Sequence, residues 1–436
     1  MLIYAPHITQ RLSYIVEFIS KEFFAEPIEL TTDRERFLSE ELPKLNYSDE
    51  RLSESEFFIR RTALLFETGV RDQNIICSTK GQHKVFFQTT GDFSFDVFAA
   101  SFYLLSRYEE YLPYTPDEYG RYPHSSSLAF REGFLQLPLI NLWLLEFKNS
   151  LLEKFPGLMF IRTYFKFMPT YDIDIAYAYQ HKGFLRNLGG FVKAAVKGQW
   201  PAFSRRFEVL FKNKKDPHDS YEWLDSLHLY CRMRAYYFFL VAGEQKGYDK
   251  NIPRSSKAMK DLIGYHAKGY TIGIHPSWQS GESQKILQSE IKWLSDHASR
   301  KISYSRQHYI RLRLPDTFQN LLDAGIDKDF SMGYGSINGF RASVASSFFW
   351  YDLSREEKTQ LMLFPFCFMD ANSYYEQKLT AAQAFAELMQ YYHTVKNVHG
   401  LMVTIWHNHF LGTDPQFEGW KQVYEIFLQQ EVYWDM

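Results

Sequence analysis

Residues 165–176 read Phe165-Lys166-Phe167-Met168-Pro169-Thr170-Tyr171-Asp172-Ile173-Asp174-Ile175-Ala176. The apolar lead of Phe165, Phe167 and Met168 reads as the end of a buried strand. On an extended strand residues i and i+2 share a side, so Asp172 and Asp174 face one space while Ile173 turns away. Two carboxylates that close repel each other unless positive charge or a shared proton sits between them. A divalent metal or an arginine would serve, and so would the proton. The competing reading is an Asp pair that caps a helix or bends a turn. Spacing alone does not choose between them.

The chain on either side of this stretch sets its context. From 165 to 436, strand-like and helix-like stretches alternate. Strands are expected at Ala235–Val241, Tyr270–Ile274, Ile302–Ser305, near 330–333, at Leu361–Phe368 and at Leu401–Ile405. Such alternation predicts parallel strands joined by helical crossovers, and six or seven units can form a barrel. A basic, partly helical insert spans about 182–217, and its run Lys212-Asn213-Lys214-Lys215 reads as a solvated face rather than a binding patch. Upstream lie a short strand at 2–5, an amphipathic helix at 9–24, a buried helix at 95–107 and another at 138–154 that Pro156-Gly157 ends. The expectation is therefore a smaller α/β domain over 1–157 and a distorted (β/α) barrel over 158–436.

Polar residues recur where the barrel strands end. Asp172 and Asp174 follow the first. His275 follows the second of the later strands, and Arg306 and His308 follow the third. Arg341 comes after the 330s strand, Asp370 after Leu361–Phe368, and His407 after Leu401–Trp406. In a barrel of parallel strands these ends share one mouth. A lone strand-end histidine is usually structural, but six chemically equipped ends are harder to explain that way. A carboxylate with two imidazoles suits a divalent metal with open positions. A spare carboxylate can act as base on water, and a histidine opposite can protonate a leaving group.

Composition narrows the classes. The chain has 436 residues, 45% hydrophobic and 23% charged, which is globular. Forty-nine basic residues stand against 51 acidic ones, so overall charge makes no case for nucleic acid or an anionic membrane as the main partner. Cys77, Cys231 and Cys367 are too far apart for a metal motif or a disulfide framework. No apolar run reaches the ~20 residues of a membrane span, and the N-terminus lacks a signal-peptide pattern. A cytoplasmic location is the expectation. Aromatic residues make up 18%, which suits a thick core and also sugar-binding clefts. Arg107, Glu109, Glu110 and Arg121 read as a salt-bridge cluster, or as the lining of an interdomain groove. His409 is left outside the site, because the chain is expected to turn before it.

Several stretches resemble the motifs of the polysaccharide deacetylase (NodB-homology) family, carbohydrate esterase family four, over about residues 165–410. Thr170-Tyr171-Asp172-x-Asp174 is similar to the first motif, Thr-Phe-Asp-Asp, with one extra residue between the acids. Its first Asp is the family's general base and its second binds metal. Ile272-Gly273-Ile274-His275-Pro276-Ser277 is similar to the His-Ser/Thr-x-x-His motif, but Gln279 stands where the second His belongs. Gly339-Phe340-Arg341 resembles the third motif, whose Arg orients the base. Met369-Asp370 falls where the fourth contributes to the cleft wall. Thr404-Ile405-Trp406-His407-Asn408 resembles the last, whose His is the general acid.

The resemblance implies a metal-dependent hydrolase removing an acyl group from an N-acylated sugar. Its implied base is Asp172, held by Arg341, and its acid is His407. Asp174, His275 and a substituting His308 would hold the metal, zinc first, with nickel or cobalt as alternatives. Asp370, Trp406 and Arg306 would contact a carbohydrate substrate. The rival reading is a degenerate carbohydrate-binding or assembly module of polysaccharide biosynthesis, since one ligand is missing from its usual place. The N-terminal part resembles the domain that precedes deacetylase-like domains in some bacterial polysaccharide-cluster proteins, without an activity to assign.

Overall fold

The computed structural model describes residues 1–41 and 43–432. The N-terminal part is built on a parallel sheet of strands β1 (Leu2–Tyr4), β2 (Glu29–Thr31), β3 (Lys44–Ser48) and β4 (Phe57–Arg60), in the order β2-β1-β3-β4. Helix Gln10–Phe23 covers it, started by Thr9, whose hydroxyl accepts from Leu12 N at 3.1 Å. A small antiparallel hairpin, β5 (Ser78–Lys80) and β6 (His83–Val85), precedes helices Val97–Leu105 and Leu139–Lys154.

The rest is an α/β unit around one curled sheet. Its strands are β7 (Lys166–Ile173), β8 (Tyr236–Leu240), β9 (Thr271–His275), β10 (Tyr304–Ser305), β11 (Lys328–Asp329), β12 (Phe348–Asp352), β13 (Glu357–Leu363), β14 (Phe368–Met369) and β15 (Leu401–His407). They lie in the order β12-β13-β11-β10-β9-β8-β7-β15-β14. All neighbours are parallel except β12, which returns antiparallel on β13. The expected barrel class is what the chain forms, as a half-barrel: among the described residues its edge strands β12 and β14 do not pair. A small apolar plug of Phe238, Ile310, Phe330, Phe366, Val403 and Ile405 fills the inside of the curl. No helix among the described residues is long and apolar enough to cross a membrane.

One expectation is corrected. The apolar run 361–368 is not one strand. It is the end of β13 and then β14, which sits at the opposite edge of the sheet beside β15. Pro365 lies in the gap, has no amide hydrogen to give a ladder, and interrupts it.

The two parts share a core. A single apolar cluster runs from Ile3, Leu12 and Ile15 through Phe98 and Trp143 to Trp350, Leu363 and Tyr391. Tyr14 Oη donates to Phe349 O at 2.8 Å, and Ala345 N donates to Asn141 Oδ1 at 2.8 Å.

Register decides what faces the inside of the curl. Asp172 on β7 is level with His407 on β15 and with Phe238 on β8. Ile274 is level with Ser305, which places Arg306 beside His275. Side chains alternate along a strand, so Tyr171 and Trp406, also level, turn the other way into the helix layer.

Candidate active site

Asp174, His275 and His308 each offer a ligand atom within 4.8 Å of the others. His275 Nε2 is 3.0 Å from Asp174 Oδ1, and His308 Nε2 is 3.7 Å from Asp174 Oδ2. The orientation of each imidazole is set from behind. His275 Nδ1 lies 2.6 Å from Arg306 O, a carbonyl that can only accept. His308 Nδ1 lies 3.1 Å from Asp249 Oδ1. With Nδ1–H committed in both rings, the Nε2 lone pairs of the neutral forms face Asp174. Burial alone would raise the Asp174 carboxyl, but His308, His275 and His407 together hold it well below the usual range. Asp174 Oδ1 is buried and makes no hydrogen bond, in spite of its closeness to His275. A deprotonated carboxylate, two presented lone pairs and an unsatisfied buried oxygen are what a divalent cation needs. The three residues expected as ligands are therefore brought together.

Asp249 supplies a contact that sequence reasoning missed. It is fully buried in the loop after β8. Besides His308 it accepts from Trp278 N at 2.9 Å and from Gln279 Nε2 at 3.1 Å. Gln279, at the position of the missing histidine, thus holds the carboxylate that orients its replacement. Nothing local marked Asp249, which lies nine residues past the end of β8.

Asp172, almost fully buried, is gripped by Arg306, whose Nη1 donates to Oδ1 at 2.8 Å. This corrects two expectations. Arg341 does not hold Asp172: its Nε and Nη2 donate to Glu110 at 2.9 and 2.5 Å, and Nη1 donates to Gly333 O. Arg306 does not contact substrate: it is fully buried, packed over the Phe238 ring at 4.5 Å. The carboxylates decide the exchange, because Glu110 comes from the N-terminal part and claims Arg341, leaving the inner arginine to Asp172.

His407 stands opposite, its Nε2 3.5 Å from Asp174 Oδ2. Its Nδ1 is 2.6 Å from Asp370 Oδ1, and its backbone N–H donates to Asp370 Oδ2 at 2.7 Å. Burial disfavours the imidazolium, but the Asp370 carboxylate outweighs it and pushes His407 up to about 9. Asp370 is fully buried behind the ring, so it orients His407 and is not a wall for substrate. Trp406 is corrected too. It is buried in the helix layer against Tyr424, ring centroids 4.4 Å apart, and cannot serve as a sugar platform in the cleft.

The cleft over these groups has a volume of about 410 Å³, within the range of small-molecule sites. Its rim carries Tyr248, Tyr309 and Tyr375, and also Tyr119 and Arg121 from the N-terminal part. Arg121 thus lines the cleft, whereas Arg107, Glu109 and Glu110 form the buried salt-bridge cluster. His409 also lines the cleft, its ring 5.3 Å from that of His407: the chain does turn at the end of β15, as expected, but the 407–410 turn keeps the His409 ring in the cleft.

Residues 1–156 match a family of unknown function (DUF7033). No curated protein matches the sequence. Among solved structures, the chain is similar to the polysaccharide deacetylase Bc1974 from Bacillus cereus, at 11% identity and TM-score 0.31, over 62% of this chain and 89% of that one. It is similar to PuuE allantoinase at 10% identity and TM-score 0.38, over 61% and 84%. A mutant CE4-family pseudoenzyme with restored enzymatic activity matches at 10% identity and TM-score 0.28, over 61% and 64%. These likenesses concern the fold. The chemistry is argued from the cleft itself.

Proposed function

We propose that the protein is a metal-dependent hydrolase that removes an acyl group from an N-acylated sugar. The observation that carries this reading is the joint presence, around one cleft, of a three-donor cluster, an arginine-held carboxylate and a carboxylate-held histidine. Asp174, His275 and His308 would hold a divalent ion, zinc by the donor set. When bound, such an ion lowers the pKa of water and polarises an acyl carbonyl.

The chain's own groups then divide the proton work. Asp172, fixed by Arg306, takes a proton from the attacking water as its oxygen bonds to the carbonyl carbon. His407, kept protonated by Asp370, gives its Nε2 proton to the sugar nitrogen as the C–N bond breaks. The products are a carboxylate and an amino sugar. The tyrosine rim offers ring faces to pyranose C–H groups. The second reading, a module that binds carbohydrate without cleaving it, draws on Gln279, and the His308–Asp249 pair weakens it.

Metal content of the purified protein, with acetate release from N-acetylated oligosaccharides before and after chelation, tests the proposal. Bound metal and chelator-sensitive release are expected. Oligosaccharide binding without metal and without release under zinc, nickel or cobalt would transfer the assignment to the binding module.

A further inference from the structure

The insert after β7 folds as a hairpin of two helices, Phe184–Val196 and Trp200–Phe211. It is a built unit. Phe191 packs edge-on against Phe203, centroids 4.8 Å apart. Arg206 Nη1 donates to Asn187 Oδ1 at 2.9 Å. Its guanidinium occupies the space where a side chain on Gly190 would sit. The root is pinned where the strand leaves the cleft: Asp216 accepts from the amides of Ala178, Tyr179 and Gln180 at 2.7–3.0 Å.

The outer faces of this hairpin have no partner among the described residues. Phe184, Leu185, Leu188, Val192 and Val196 are exposed, three of them at 79–81%. At ~100° per residue they fall within an arc of about 120° on the first helix. Trp200, Phe207 and Phe211, also exposed, form a narrower stripe on the second. These 28 residues hold eight of the 22 exposed large apolar side chains among the described residues. An exposed apolar surface of that density marks a binding face.

Charge identifies what it binds. Residues 182–215 carry nine Lys and Arg against one acidic residue, Glu208, in a chain whose formal charge is −2. The run at 212–215 is itself solvent-exposed, as expected. Lys193 and Lys197 lie about 60° and 100° beyond one edge of the apolar arc, on the polar face of the first helix, and among the described residues no carboxylate pairs with either. An apolar stripe backed by a lysine-bearing polar face, with a tryptophan at the turn, is the pattern of a helix lying in a bilayer interface. A partner protein would need its own acidic rim around an apolar patch; an anionic leaflet presents both chemistries everywhere.

We infer that the hairpin 184–211 seats this protein on the surface of an anionic lipid bilayer. The apolar arcs enter the headgroup–acyl boundary, and the long lysine side chains of the polar face reach lipid phosphates. Since the hairpin begins ten residues past Asp174, the bilayer would lie beside the cleft. The inference does not depend on the hydrolase reading.

Co-sedimentation of the full chain with vesicles tests it, comparing phosphatidylcholine alone with phosphatidylcholine plus phosphatidylglycerol. Binding is expected to the mixed vesicles and to fall with salt. Lys193→Ala with Lys197→Ala should weaken it about 30-fold, from ~1 kcal/mol per basic residue near the surface. Leu185→Glu with Val196→Glu should abolish it. All four positions are exposed, so circular dichroism should show an unchanged fold. A chain that stays in the supernatant with mixed vesicles at low salt overturns the inference. So does a dimer in sedimentation velocity that the Leu185/Val196 pair of substitutions dissolves, since the face would then belong to a second copy.

Discussion

Two arginines at the scale of single residues separate catalysis from stability. Arg306 touches Asp172, whereas Arg341 touches Glu110. Arg306→Lys should lower kcat on an acylated sugar about 100-fold, since a mispositioned base loses most of its contribution, with little change in thermal midpoint. Arg341→Ala should do the reverse, leaving Glu110 short of one buried partner at a cost of about 3 kcal/mol in denaturant unfolding. Asp249→Ala should weaken zinc binding, read by calorimetry, by about 10–100-fold, the usual effect of removing the group behind a ligating imidazole. Much of this was legible beforehand. The strand-end pattern picked out Asp172, Asp174, His275, His308 and His407, because parallel strands must bring those ends together. Trp406 could also have been placed: if His407 faces the cleft, its neighbour cannot. The choice of arginine was not legible, since it turns on Glu110, 231 residues away from Arg341.

Individual elements carry the next set of consequences. The turn after β10 holds His308 and then two residues in the left-handed region, Tyr309 at φ 57° and Ile310 at φ 50°. Non-glycine residues adopt that conformation only when their surroundings compel it. Arg121 does so here, donating from Nη1 to Tyr309 O at 2.7 Å and from Nε to Asp117 at 2.7 Å. Gly335 has no side chain to obstruct that guanidinium. Arg121→Ala should speed amide exchange across 307–312 and weaken zinc binding with it. Helix Gln284–Ala298 offers a pH test. Burial pushes Glu290 up to about 7 from an ordinary 4.5, against its hydrogen bonds from Ser277. The folded state then binds the proton more tightly than the unfolded chain. Its stabilisation is complete below pH 4.5 and is lost as pH rises through 7, a change of about 3 kcal/mol. Glu290→Gln should flatten that part of the stability profile and raise the thermal midpoint above pH 7. The apolar face of the 184–211 hairpin could not be anticipated, because helical periodicity reads the same whether the stripe is buried or bare.

The whole molecule behaves as one body in its packing. Helix Gln10–Phe23 lies on strand β13, and helix Val97–Leu105 on β12, so the core of the N-terminal part is also the outer wall of the half-barrel. The charged cluster crosses the same seam, with Glu110 hydrogen-bonded to both Arg107 and Arg341. A fragment of residues 158–436 should therefore be insoluble or bind a hydrophobic dye, and the full chain should show a single calorimetric transition. The Pro-Gly signal at 156–157 was read as the edge of a domain, and locally it does end a helix at Lys154. What a local signal does not reveal is how much apolar surface crosses it.

That seam also constrains how such a chain can diversify. Swapping the first 156 residues for those of a distant relative would leave unmatched knobs and hollows against β12 and β13, and would strip the cleft of Tyr119 and of the brace on the His308 turn. Successful chimaeras should need compensating changes on both sides at once, so the two halves are expected to be inherited as a pair.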